Sequence, residues 1–140
     1  MRKEYAVRLV VISGVLLMAD LFFAAWYDRG FVIGYEVTRT AVEPPNGWLA
    51  LLAWLATGAL LVEVVVTRIS TTGLPEIAFP WVRVQLMQAA AVFLLIFVKF
   101  AATRYYGWGS WVGLVLAAVF AYSVWAAAGQ PKPADWRRVA

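Results

Sequence analysis

Four apolar runs, each close to the length of a bilayer's hydrocarbon core, constrain this chain more than any other feature. A helix that crosses a membrane needs about 20 mostly apolar residues. Tyr5–Tyr27, Gly47–Thr67, Pro80–Ala102 and Trp108–Ala128 each meet that requirement. The pieces between them carry turn and charge signals: Asp28–Asn46 with PPNG, Arg68–Phe79 with TTGLP, the short Thr103–Gly107, and a tail from Gly129 containing PKP. Clusters of Gly, Pro and Asn interrupt helices. The pattern predicts an all-α membrane protein, a four-transmembrane-helix bundle in which residues 1–140 form a single integral domain. Its outer loop covers 28–46 and its tail 129–140. MRK before the first run resembles the start of a signal peptide. The run is too long for one, and no small-x-small cleavage site follows, so a retained helix is expected.

Composition agrees and removes several chemistries. The chain is 64% hydrophobic and 14% charged, against about 45–50% apolar and 25% charged in soluble domains. It has no cysteine, so no disulfide, thiolate nucleophile or iron–sulfur cluster is available. It has no histidine, which removes the commonest haem, copper and zinc ligand and the usual general base. No nucleophile–base pair, phosphate-binding glycine loop or metal-ligand cluster stands out. The sequence therefore predicts no enzyme, no cofactor and no metal site. Basic residues are dispersed around the ends of the apolar runs, which suits anionic lipid rather than nucleic acid. Nine Arg against three Lys, with abundant Ala and Val, point to a GC-rich bacterial source.

Orientation follows from the excess of Lys and Arg on the cytoplasmic side of membrane proteins. With the N-terminus inside, Arg2, Lys3, Arg8, Arg68, Arg83, Lys132, Arg137 and Arg138 are cytoplasmic. Arg29, Arg39, Lys99 and Arg104 are then outside or near the outer surface. Eight against four places both termini in the cytoplasm, in the bacterial plasma (inner) membrane. Trp26, Tyr27, Trp48, Tyr105, Tyr106, Trp108 and Trp111 form an outer aromatic belt, and Tyr5, Phe79, Trp81 and Trp125 an inner one.

Asp20 is the anomaly. It lies about 10 Å below the outer edge at 1.5 Å per residue, where an ionised group costs about 2.5–3.5 kcal/mol unless paired, protonated or wetted. Heptad spacing puts Ala6, Ser13, Asp20 and Tyr27 on one face of the first span, and Gln85, Gln88, Val92 and Lys99 line a stripe on the third. Both spans run outward, so Asp20 and Lys99 come within about two turns in depth, and an intramembrane Asp20–Lys99 pair is expected. Glu63 sits near the inner end of the second span, within reach of the interface or of Arg68, Arg83 or Arg8. Ser13, Glu63, Gln85 and Gln88 thus form a polar stripe: interhelical glue on one reading, a ladder for protons or small solutes on the other.

Two further features concern contacts. Gly109, Gly113, Ala117 and Ala121 recur every four residues, a small-residue ridge that allows close helix approach. It packs either within the bundle or against a partner. FVIGYEV alternates, with Phe31, Ile33, Tyr35 and Val37 on one side, as a strand does. Such a strand pairs with the following TRTAVE, lies on the bundle, or adds to a partner's sheet. These features suggest a non-catalytic accessory or assembly subunit of a larger membrane complex. It would stabilise that complex through helix packing and the outer loop, with other integral subunits and lipids as partners. A homo-oligomer stays open. The alternative is a small oligomeric transporter or channel using Asp20 and Lys99.

Overall fold

The computed structural model describes residues 2–32, 35–43, 47–69, 80–103, 106–132 and 134. Four helices follow the four apolar runs: α1 Lys3–Phe23, α2 Gly47–Val64, α3 Trp81–Ala101 and α4 Trp108–Ala127. Val65–Ile69 prolongs α2 with wider, π-type winding. With α2 counted to Thr67, all four are long and apolar enough to span a membrane. In hydrocarbon only a helix or a closed barrel satisfies every peptide group, so long apolar runs with few breakers become helices. The ends are set locally. Pro80 precedes α3 with φ −58° and has no N–H to leave unpaired. After α4, Gly129 takes φ +91°, a left-handed conformation that glycine adopts without a Cβ clash. There the Gly129 and Gln130 N–H groups bond the Ala126 and Trp125 carbonyls, both at 3.1 Å.

The helices close a ring. α1 packs on α2 and α4, and α3 packs on the same two, so α1 and α3 stand across the diagonal. Leu17, Leu21, Leu60, Val92, Ile96 and Phe120 fill the middle and are fully buried. The exterior is apolar as well: Ile12, Leu16, Leu55, Leu94, Phe97 and Val115 are all exposed. A helix hydrophobic on every side suits a lipid solvent.

The first helix is shorter than expected. It stops at Phe23 rather than Tyr27, and Ala24 is already extended. The following backbone is captured by other segments. Trp26 N–H donates to the Arg39 carbonyl at 2.8 Å, Gly107 N–H to the Trp26 carbonyl at 2.7 Å, and Gly109 N–H to the Ala25 carbonyl at 2.8 Å. Ala24 N–H still bonds the Asp20 carbonyl at 3.0 Å, while the bonds with Arg39, Gly107 and Gly109 take the place of helical ones at Ala25 and Trp26.

The outer loop is also resolved differently from the single alternating strand. β1 Tyr27–Val32 and β2 Tyr35–Arg39 pair antiparallel, with Tyr27 opposite Arg39 and Val32 opposite Tyr35. FVIGYEV is therefore divided between two strands, and Phe31 and Val37 do not share one. Phe31 and Val32 pair with Glu36 and Tyr35, while Thr38 and Arg39 of the following TRTAVE pair with Asp28 and Tyr27. One extra residue between Asp28 and Phe31 makes a bulge. A bridge between Tyr27 and Tyr106 fixes the hairpin to the α3–α4 connection. Ile33, and the side chains of Phe31, Tyr35 and Val37, lie outside the described residues. At the hairpin's exit, Thr40 donates from both N–H and hydroxyl to Glu43, each at 3.0 Å. These bonds hold the Glu43 carboxyl below the usual carboxylate range.

Candidate functional site

The polar residues within the helices are the candidates for function, and most are tied off locally. Ser13 donates to the Leu9 carbonyl at 2.5 Å, Thr57 to Ala53 at 2.7 Å, Ser110 to Gly107 at 2.6 Å and Ser123 to Phe120 at 2.8 Å. A hydroxyl that bonds its own helix needs no solvent and links to no neighbour. The inward faces read from the sequence hold: Ala6, Ser13 and Asp20 are buried on α1, and Gln85, Val92 and Lys99 on α3.

Among the described residues Glu63 takes Gln88 as its side-chain partner, whose N–H donates to it at 2.9 Å, and the Arg68 side chain, one of the expected partners, lies outside the described residues. α2 and α3 are ring neighbours, which brings the two side chains together. Glu63 Oε2 and Gln88 Oε1 are buried without a hydrogen-bond partner. Glu63→Gln would put an amide N–H beside an oxygen that lacks a donor. It is expected to melt at or above the wild-type temperature, whereas Glu63→Leu, which strands Gln88, should cost about 1 kcal/mol. Detergent thermal melts of the two variants check this, and equal losses would contradict it.

The expected Asp20–Lys99 pair does not form. Lys99 is fully buried, and its ammonium donates to the Tyr27 hydroxyl at 2.7 Å. It lies 4.8 Å from the Tyr27 ring centroid and 5.8 Å from that of Trp26, within cation–π range. Trp26, itself fully buried, donates its indole N–H to Thr103 at 2.9 Å. Thr103 in turn donates to the Lys99 carbonyl at 2.7 Å. Both carboxyl oxygens of Asp20 are buried with no hydrogen-bond partner. The reason is the ring order: matched depth is not proximity when α1 and α3 are diagonal. The Trp26–Tyr27–Lys99–Thr103 cluster was not read from the sequence, which put Tyr27 on the inward face of the first span and both Trp26 and Tyr27 in the outer aromatic belt. A usable signal existed, since a buried indole or ammonium needs a named partner.

Gly109, Gly113 and Ala117 are buried and Ala121 is partly so. Their occupant is the chain itself. A Cβ on Gly109 would stand 2.8 Å from the Ala24 Cβ, and one on Gly113 would stand 2.5 Å from Asp20 Oδ2 and 2.7 Å from the Trp26 ring. The ridge is the seam between α1 and α4, not a free docking strip.

Beside that seam, on the outward side, runs a groove of about 390 Å³ lined by Leu16, Ala19, Asp20, Phe23, Ala24, Trp108, Val112 and Leu116. Asp20 is the only ionisable residue in its wall among the described residues. Among the described residues no group of His, Cys, Asp and Glu could hold a metal ion. The chain matches no protein-family model, no curated protein and no solved structure, so its functional reading rests on these residues alone.

Proposed function

We propose that this chain is a non-catalytic accessory or assembly subunit of a larger bacterial membrane protein complex. It resides in the plasma membrane with both termini cytoplasmic. The observation that carries the reading is the local closure of the polar groups: Glu63 with Gln88, Lys99 with Tyr27, and hydroxyls with their own helices. Polar side chains closed at separate levels act as interhelical glue and supply no ladder for a solute. With the ridge and the hairpin engaged within the chain, docking falls to the outward faces of α2 and α3. Only 33% and 28% of these spans is buried inside the bundle, the least of the four. Other integral subunits and lipids are the partners such faces fit. The test is isolation in mild detergent followed by native mass measurement. A stoichiometric complex with other integral proteins is expected; a homogeneous oligomer of this chain alone overturns the reading.

The second reading, a small oligomeric transporter using Asp20 and Lys99, retains one observation in its favour: the Asp20 carboxyl has no partner. Selective flux through liposomes holding the pure protein, lost on Asp20→Asn, would make it the better one.

Orientation is tested separately. Because the chain has no cysteine, single cysteines at Thr38 and Ser70 report sidedness cleanly. An impermeant thiol reagent added to intact cells should label Thr38→Cys and spare Ser70→Cys. The reverse pattern would invert the topology.

A further inference from the structure

We propose that the groove between α1 and α4 binds a lipophilic cation, an apolar body carrying one ammonium- or phosphonium-type charge, with Asp20 as its counter-charge. The inference does not rest on the accessory-subunit reading and stands or falls apart from it.

Size comes first. About 390 Å³ lies within the roughly 300–1,000 Å³ of small-molecule sites, which are mostly apolar with one or a few polar groups fixing orientation. The groove covers about two turns of each helix, Leu16 to Ala24 and Trp108 to Leu116, or roughly 12 Å at 1.5 Å per residue. That is too short for the seam of a second spanning helix, which runs along most of the roughly 30 Å hydrocarbon core.

Sign comes second. Among the described residues the wall carries one acid and no basic side chain, so the charged occupant it favours is positive. Phe23 and Trp108 border the same groove and are 84% and 63% exposed. Their ring faces attract cations further. Lys99 does not compete for Asp20, being across the ring and bonded to Tyr27.

Readiness comes third. Asp20 is 6% exposed and lines the groove, with its Oδ2 close against Gly113. No hydrogen bond holds the carboxyl where it is, so turning toward a ligand's charge breaks none. A carboxyl buried with no donor otherwise carries an uncompensated desolvation cost, which an arriving cation relieves.

The experiment uses the full chain in nanodiscs of zwitterionic lipid and two ions of nearly equal shape and opposite charge, tetraphenylphosphonium and tetraphenylborate. Equilibrium dialysis should show one saturable cation site per chain and no saturable anion site. Asp20→Asn, which keeps the shape, should weaken cation binding about tenfold or more. Val112→Trp fills the groove from a position that is 41% exposed, and should abolish binding with Asp20 intact. It also carries the test if Asp20→Asn fails to fold. Equal binding of both ions, unchanged affinity in either variant, or unsaturable partition alone would overturn the proposal. The last two results are what a groove filled by lipid or by a partner's helix would give.

Discussion

Gly113→Leu is expected to break the bundle rather than release a partner from it. The α1–α4 seam is the most extensively packed in the molecule, and at Gly113 the neighbouring helix leaves no room for even a methyl group. An added Cβ would meet Asp20 Oδ2 at 2.5 Å and the Trp26 ring at 2.7 Å. The Asp20 carboxyl, held by no hydrogen bond, can turn aside, but the Trp26 ring cannot, since it is fully buried and bonded to Thr103. Overpacking a closed core costs about 1–3 kcal/mol per intrusion, the loss expected for Gly113→Ala. Leucine must push α1 away along its whole outer half, and most of the protein should then aggregate in detergent. Val115→Leu, two residues on but exposed to the outside, should change stability by no more than about 0.5 kcal/mol. Size-exclusion profiles and thermal melts of the three variants check the series. A Gly113→Leu protein that is monodisperse and melts like the wild type would return the ridge to a partner.

The second large effect belongs to Trp26. Trp26→Ala removes a fully buried ring, and truncations of this kind cost about 3–5 kcal/mol in well-packed interiors. The ring also links three parts of the chain: Gly113 on α4, Lys99 on α3 and Thr103 beyond it. Its backbone ties the hairpin to the helix ends through Arg39 and Gly107. The hairpin should therefore loosen with the core, and proteolysis between Tyr27 and Arg39 should accelerate in step with the drop in melting temperature. Trp26→Phe keeps most of the ring and loses the bond to Thr103, at a cost of about 1 kcal/mol. Equal stability of the alanine and phenylalanine variants would show that packing around Trp26 contributes little.

Helix number, helix type and the inward faces were legible because lipid demands internally bonded backbone and each span had room for only one polar stripe. Ser13 and Asp20 on α1 and Gln85 and Lys99 on α3 lie where heptad spacing put them. What failed was adjacency. Depth along a helix can be counted from the sequence, but the order of helices around a ring cannot. Asp20 and Lys99 were paired at matching depth across what proved to be the diagonal. Glu63 was sent toward the interface or an arginine, and the partner its neighbour helix offers, Gln88, went unread. The hairpin failed for a different reason. Strict alternation through FVIGYEV hid its division between two antiparallel strands, because period-2 patterning is the same on both arms of a hairpin. The early exit of α1 depended on distant partners at Arg39 and Gly107, which no local propensity encodes.

The account's central claim is that Lys99, the Glu63–Gln88 pair and the hydroxyls of the spans are bonded in separate local groups, with Asp20 apart from them, rather than joined across the bundle. Two double-mutant cycles sharing Lys99→Met measure it directly in thermal melts. Combined with Tyr27→Phe, which removes the acceptor at 2.7 Å, the cycle should give a coupling of about 1–2 kcal/mol. Combined with Asp20→Asn, it should be additive within about 0.5 kcal/mol. An Asp20–Lys99 coupling as large as that of Tyr27 with Lys99 would contradict the account and restore a connected charged path between α1 and α3.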